Sequence, residues 1–484
     1  MSADRATTTS APAPRLSPEA ESGPLLNDVH SRLNPTRVHR LVEVASADDV
    51  QDAVRYAAEL DRPVCVGGGW HAMGAQQFAT GGVMLDTRRL RATCELDAER
   101  GTVRVSAGIQ WPELVARLLA AQEGKSPQWG IAQKQTGADR LSIGGAVAAN
   151  VHGRGLARRP FVGDVESLVL VDAAGERRRC SRAENAELFS LVVGGYGLFG
   201  VVVEVTLRLA PRRKVRRVVE VVDADDLMAR FDERIAAGFE YGDFQFDLDP
   251  ASRGFLRRGI FSCYEPVDDA TPVPAGQRSL TEADWRRLLY LAHADKGRAW
   301  DVYAGHYLKT TGQVYWSDTH QLSTYLDDYH QELDRELRAP HPCSEMITEI
   351  YVPRPRLADF LAEAAADFRR HAVNCIYGTV RLIERDDETV LAWAREPWAC
   401  TIFNLHTEHT PAGVAHSADA FRRLIDMAVR RGGSYYLTYH RWATREQVLA
   451  CHPRLPEALR RKDDHDPGRR FQSDWYRHHA ALLG

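Results

Sequence analysis

Val64-Cys-Val-Gly-Gly-Gly-Trp-His-Ala-Met-Gly74 runs three apolar residues of strand character into three glycines and then a histidine. A strand that empties into glycines presents backbone N–H groups with no side chains in the way, and such a loop can hold a pyrophosphate. His71 then falls where a bound cofactor would lie. Glycine turns are common, so the reading depends on what surrounds this one.

Upstream, Ser46-Ala-Asp-Asp49 has capping-box spacing and opens an amphipathic stretch, Val50 to Leu60, that ends before Arg62-Pro63. Downstream, Gly82 to Asp86 and the alternating Thr102 to Ser106 read as strands, and Pro112 to Ala120 as a helix with proline in its first turn. Small residues dominate Gln135 to Gly153, which implies close approach of backbone to something flat or to another backbone. Val165 to Asp172 and Val201 to Leu209 are strand-like. Beyond Arg217 come a helix over Leu357 to Arg370 and strands at Ile347 to Val352 and Cys400 to His406. The rhythm is α+β.

A second glycine motif, Gly195-Tyr-Gly-Leu-Phe-Gly200, matches G-x-G-x-x-G and invites a Rossmann reading. That fingerprint must open a helix, whereas Val201-Val-Val-Glu-Val-Thr-Leu207 is strand. The dinucleotide is therefore not expected on a Rossmann turn.

Bulk properties narrow the class. At 484 residues the chain exceeds one typical core, so two domains are expected. A net charge of −4 offers no electrostatic reason for nucleic acid or an anionic membrane as partner. The eight cysteines form no C-x-x-C pair and no tight Cys/His cluster, so neither a disulfide framework nor a metal site is expected, and a reducing, cytoplasmic setting fits. The first residues, Met1 to Pro14, lack an apolar core and a twin arginine and read as a disordered leader. No apolar run approaches the roughly 18 residues a membrane span requires.

The joint order of the glycine loop with its histidine, Ser142-Ile-Gly-Gly145, Asn150-Val-His-Gly153 and Gly194 to Gly200 leading into a strand resembles the vanillyl-alcohol oxidase and p-cresol methylhydroxylase flavoprotein superfamily. The likeness covers roughly Arg37 to Pro211 and returns at Lys462, Asp466-Pro467, Arg470-Phe471 and Ser473-Asp474. Within it the chain most resembles the aldonolactone and alditol oxidases and the decaprenylphosphoryl-ribose oxidase. The resemblance implies a PCMH-type FAD-binding domain of two α+β subdomains, and a substrate domain with an antiparallel sheet flanked by helices. The corresponding division is a leader over 1–22, the FAD domain over 23–211, the substrate domain over 212–431, and a segment over 432–484 returning to the FAD domain.

The same resemblance implies an FAD pyrophosphate wrapped by Gly67, Gly68, Gly69, Trp70, His71, Ala72 and Gly74. Thr136, Gly137, Ser142, Gly145, Asn150, His152, Gly153 and Tyr436 would line the ribityl and ring region, with Val201 near the adenine. His71 matches the histidine to which alditol oxidases attach the flavin 8α-methyl; Trp70 and Ala72 depart from that family's flanking residues, which leaves the covalent bond open. A neutral imidazole is what such attachment requires.

Substrate chemistry is expected in the second domain. Glu349 in Thr348-Glu-Ile-Tyr-Val-Pro353 matches the alditol oxidase's substrate-binding glutamate. Arg381 and Cys400 fall on pocket positions of the ribose oxidase, and Asn404 and His406 share a strand face with Cys400. Where the ribose oxidase has a catalytic lysine this chain has Tyr439, with His440 beside it. Position favours Tyr439 as the base and ordinary acidity favours His440. On a strand only one of the two would face the flavin. The expected activity is oxidation of a hydroxyl on a small polyol, sugar or sugar-like compound by hydride transfer to flavin N5, with oxygen or another acceptor taking the electrons. An amino or phenolic natural product is the alternative substrate, and a flavin-binding protein without turnover the alternative class.

Overall fold

A computed structural model describes residues 23–324, 326 and 329–484; the leader expected over 1–22 lies outside them. The opening glycine loop leaves a three-stranded parallel sheet ordered Arg40–Glu43, Val83–Asp86, Val64–Gly67. Helix Ala47–Glu59 joins its outer strands. Ser46 caps it, receiving the Asp49 N–H while the Asp49 carboxylate receives the Ser46 N–H, and Val50, Ala53, Val54 and Ala57 form its buried face. Strand Val64–Gly67 is also gripped from the tail. Val64 N–H donates to Arg470 O at 2.6 Å and Gln472 N–H to Val64 O at 3.0 Å. The buried Lys462–Asp466 pair anchors that tail, Asp466 also accepting from the Arg470 and Phe471 N–H groups at 2.8 Å.

A second, antiparallel sheet runs Arg177–Ser181, Val165–Val171, Val201–Arg208, Thr102–Ser106, Cys94–Asp97. Val201–Arg208 alternates buried and half-buried residues from its first position, which removes the helix a Rossmann fingerprint needs. The small-residue stretch contains a helix not expected from sequence, Ile143–Ala149, with Ser142 as N-cap and Asn150 closing it in the left-handed region at φ 47°.

The third sheet has eight strands, ordered Val314–Trp316, Lys214–Asp223, Arg258–Val267, Tyr241–Phe246, Cys375–Ile383, Trp398–Glu408, Cys343–Pro353, Ser434–Tyr435, antiparallel throughout. One face is covered by helices Leu357–Arg370 and Pro411–Val429; Phe403, for example, packs against Phe360 and Phe368. The other face, carrying residues of opposite parity, roofs a cavity. Mixed helix and sheet in this arrangement is the α+β class expected. One local reading fails: the backbone from Tyr436 to His440 is turn, not strand.

Candidate active site

The cavity, of about 680 Å³, lies between the glycine loop with helix Ile143–Ala149 on one side and the eight-stranded sheet on the other. Its floor depends on two glycines. A Cβ on Gly68 would stand 2.0 Å from Ser142 Oγ, and one on Gly69 would stand 2.3 Å from Arg140 O. The loop and the 140–142 segment therefore close against each other only without side chains. Trp70 follows in the left-handed region at φ 61°.

Of the residues expected around the cofactor, Gly67, Gly68, Gly69, Trp70, His71, Ala72, Thr136, Gly137, Ser142, Gly145, His152 and Tyr436 line this cavity. Gly74, Asn150, Gly153 and Val201 are off its wall, each for a structural reason. Gly74 N–H donates to Gln76 Oε1 at 3.0 Å, and Gln76 itself reaches the wall. Asn150 ties Asp386 to the Val162 N–H. Gly153 packs on the Lys134 carbonyl, and the Val201 side chain points into the core between the flanking wall residues Gly200 and Val202.

The wall also offers groups in search of a ligand. Thr136 Oγ1 and Trp70 Nε1 are buried without a hydrogen-bond partner among the described residues. Together with bare backbone at Gly67–Gly69 and Gly144–Gly145, they suit a long, flat, polar-edged cofactor. His71 is kept neutral: burial and the neighbouring His30, ring to ring at 4.9 Å, hold its pKa well below the ordinary value.

Across the cavity, Glu349 is the hub. Its Oε1 accepts from Tyr439 Oη at 2.8 Å, and Oε2 accepts from Tyr351 Oη at 2.9 Å and faces His152 Nε2 at 2.8 Å. His152 Nδ1 lies 3.1 Å from Gly153 O, which can only accept, so Nδ1 carries a proton and the Nε2···Oε2 contact holds one more, shared by the pair. Burial alone would raise the Glu349 pKa, but His152, the Tyr439 hydroxyl and Arg381 outweigh it and the carboxylate sits below its usual value. Tyr439 moves the other way: burial, then the adjacent carboxylate, push its phenol well above 10.

Cys400 Sγ lies 3.7 Å from Glu349 Oε2 and 4.0 Å from His152 Nε2. These three are the one compact His/Cys/carboxylate group among the described residues. Within this group His152 and Glu349 already hydrogen-bond to each other at 2.8 Å. Burial and then Glu349 raise the Cys400 thiol, and Cys400, expected as a cavity wall, is fully buried behind the lining residues.

Arg381 and Asn404 line the cavity; His406 does not, its ring packing on His293 at 5.0 Å. His440 is likewise outside. It stacks on Phe421 at 4.7 Å and Tyr435 at 5.8 Å, with Nε2 3.2 Å from Thr348 Oγ1, and burial depresses its pKa to about 3. The turn that carries the adjacent Tyr439 and His440 thus sets Tyr439 on the cavity wall and His440 off it. Sequence reading did not reach Gln76, Tyr196, Asp243 or Gln245, which also line the cavity. Asp243 and Gln245 alternate on strand Tyr241–Phe246, a signal that gains meaning only once sheet pairing sets that strand beside Cys375–Ile383.

Comparison with known proteins bears on this geometry. Residues 38–181 match a family described as an FAD binding domain. An oxidoreductase of Rhodococcoides fascians, "Uncharacterized oxidoreductase ORF5 in fasciation locus", is 37% identical over 170 residues, 35% of this chain and 37% of that protein. Cytokinin dehydrogenase 7 of Oryza sativa subsp. japonica is 27% identical over 226 residues, 42% of this chain and 40% of that one. Cytokinin dehydrogenase 4 of the same plant is 24% identical over 462 residues, 87% and 82%. The chain spans less than half the length of the first two relatives it matches. It carries an FAD-binding domain, and FAD is its cofactor.

Proposed function

We propose that the chain is an FAD-dependent oxidoreductase that oxidises a CH–OH carbon of a small polyol, sugar or sugar-like compound, as the likeness to the alditol and ribose oxidases implies. The observation that carries the reading is the company Glu349 keeps on the cavity wall. Arg381 Nε, Asn404 Oδ1 and Gln245 Oε1 are buried there without a hydrogen-bond partner among the described residues, a set of donors and acceptors suited to several hydroxyls. The same reading divides the chain at about residues 211 and 431, the first part and the tail holding the flavin, the middle holding substrate.

FAD, when bound, supplies a hydride acceptor at N5. Gly67 to Ala72, Thr136, Ser142 and Gly145 would hold it. On the substrate side, Tyr439 donates its proton to Glu349 Oε1 and can accept one from a substrate hydroxyl as its own passes on. A free tyrosinate is not the base, because the phenol pKa is raised; Glu349, ionised and backed by His152, receives the proton. Arg381 and Asn404 orient the hydroxyls. His71, neutral and on the wall, is the residue for a covalent flavin link: acid precipitation of the parent should leave flavin on the protein, and His71→Ala should release it.

A second reading comes from the relatives' names and from the tyrosines at 303, 307, 315 and 377 on the wall. It makes the substrate a cytokinin or another nitrogen-bearing aromatic. Anaerobic titration of the purified yellow protein separates the two. Bleaching by polyols or sugars and not by cytokinins upholds the first; bleaching by cytokinins alone replaces it; bleaching by neither leaves a binding protein.

A further inference from the structure

The strand that presents Glu349 presents a second carboxylate to the same cavity. Glu345, Ile347 and Glu349 alternate onto the cavity face, so the two carboxylates are about 13 Å apart along the strand at about 3.3 Å per residue. Glu345 is 7% exposed, and its Oε1 has no hydrogen-bond partner among the described residues. The proton transfer described above does not use it.

What faces Glu345 is a pair of neutral imidazoles. His293 Nε2 lies 3.6 Å from its Oε1 and His330 Nε2 3.9 Å from its Oε2. His293 Nδ1 lies 2.8 Å from Leu289 O, so it carries the ring proton and Nε2 turns a lone pair toward the carboxylate. Burial keeps both rings neutral, with pKa lowered to about 4 for His293 and about 3 for His330. From the neighbouring strand, His406 reaches only the back of His293. No lysine or arginine pairs with Glu345 among the ion pairs of the described residues. A buried carboxylate oxygen and the His293 lone pair without a donor form an incomplete arrangement.

We propose that this nook is a subsite for a basic nitrogen of the substrate, an alkylammonium whose N–H donors meet Glu345, His293 and His330 while the carbon to be oxidised lies at the Tyr439–Glu349 end. A hydroxyl has one proton to give to the Glu345 carboxylate and the His293 lone pair; an ammonium has three, and a charge to match the carboxylate. The proposal rests on the oxidoreductase reading only for what happens at the far end. Burial raises the Glu345 pKa to about 8, so below that pH the empty nook is protonated and an arriving cation must displace the proton.

Calorimetric titration of the flavin-loaded protein with hexylamine and with hexanol tests this without turnover. Hexylamine should bind more tightly than hexanol and should gain about tenfold in affinity from pH 7 to pH 9, as Glu345 goes from about one-tenth to nine-tenths ionised. Hexanol should show no such dependence. Glu345→Gln should lose at least tenfold in hexylamine affinity together with the pH dependence, while binding hexanol as the parent does; Glu345→Asp should retain the dependence. If Glu345→Gln does not fold, the parent decides: heats at pH 7 that change with the buffer's ionisation enthalpy uphold proton displacement, and buffer-independent heats overturn it. Equal affinity for amine and alcohol, or a Glu345→Gln variant that still binds hexylamine like the parent, also overturns it. A protein that binds hexylamine as expected but whose flavin no alcohol bleaches defeats the oxidation reading alone.

Discussion

Glu349 illustrates how a carboxylate in a closed site is kept both charged and useful. Three donors face its two oxygens, and the one proton it shares with His152 makes that pair neutral overall. Removing its charge or its phenol partner should be felt in chemistry more than in folding. Glu349→Gln and Tyr439→Phe are each expected to slow anaerobic flavin reduction by roughly a hundredfold to ten-thousandfold, read by stopped-flow bleaching. His440→Asn should instead lower the melting temperature and leave the reduction rate per bound flavin unchanged, because His440 touches Phe421 and Thr348 and not the cavity. Glu345 has the opposite signature. Its folded pKa of about 8 exceeds the ordinary 4.5, so the folded state binds the extra proton and stability falls as pH rises between those values. Glu345→Gln should therefore raise the melting temperature more at pH 8 than at pH 5; a uniform shift would contradict this.

At the scale of elements, two loops meet where helices and strands hand over. The strand Val64–Gly67 ends as the N-cap of helix Ile143–Ala149 comes in from above, and Gly68 is what lets them touch. Gly68→Ala forces a Cβ into Ser142 Oγ, so the loop must move. Flavin retention in dialysis should drop by at least about tenfold, equivalent to about 1.4 kcal/mol. Ser46→Ala is the matching control. It removes a helix cap on the same sheet, should cost about 1 kcal/mol of stability, and should leave flavin binding intact. Equal flavin loss in both variants would mean that Gly68 acts only through stability.

Across the whole molecule, buried histidines set the response to acid. Burial is the first cause of the lowered pKa at His293 and His479, to about 4, and at His330, His440 and His452, to about 3. Each is neutral when folded and protonates on unfolding below the ordinary 6.5, so their contribution is present above pH 6.5 and lost as pH falls toward 3 to 4. Each such proton steepens the loss by up to about 1.4 kcal/mol per pH unit. Asp164, raised to about 6 by burial, and Glu345 work the other way, but they are outnumbered. Scanning calorimetry should show the melting temperature falling between pH 6.5 and 4; a flat profile would contradict it.

Much of the site was already legible in the chain, because its parts are local. The capping box at Ser46, the strand after Gly200 and the glycines before His71 depend on neighbours within a few residues, and backbone geometry enforces them directly. That is why the α+β class could be read from the sequence alone, while the FAD expectation came from the family resemblance that these local motifs carry. Other features are joint properties of distant segments. Whether Tyr439 or His440 enters the cavity depends on a turn where a strand was expected. Gln245, His152 and Glu349 lie far apart in the chain and meet only because antiparallel pairing and the packing of that sheet over helix Ile143–Ala149 bring them together. Acidity followed the same division: residue type sets the ordinary pKa, and burial among particular partners, which only the tertiary structure supplies, moved Glu349 down and Tyr439 and Glu345 up.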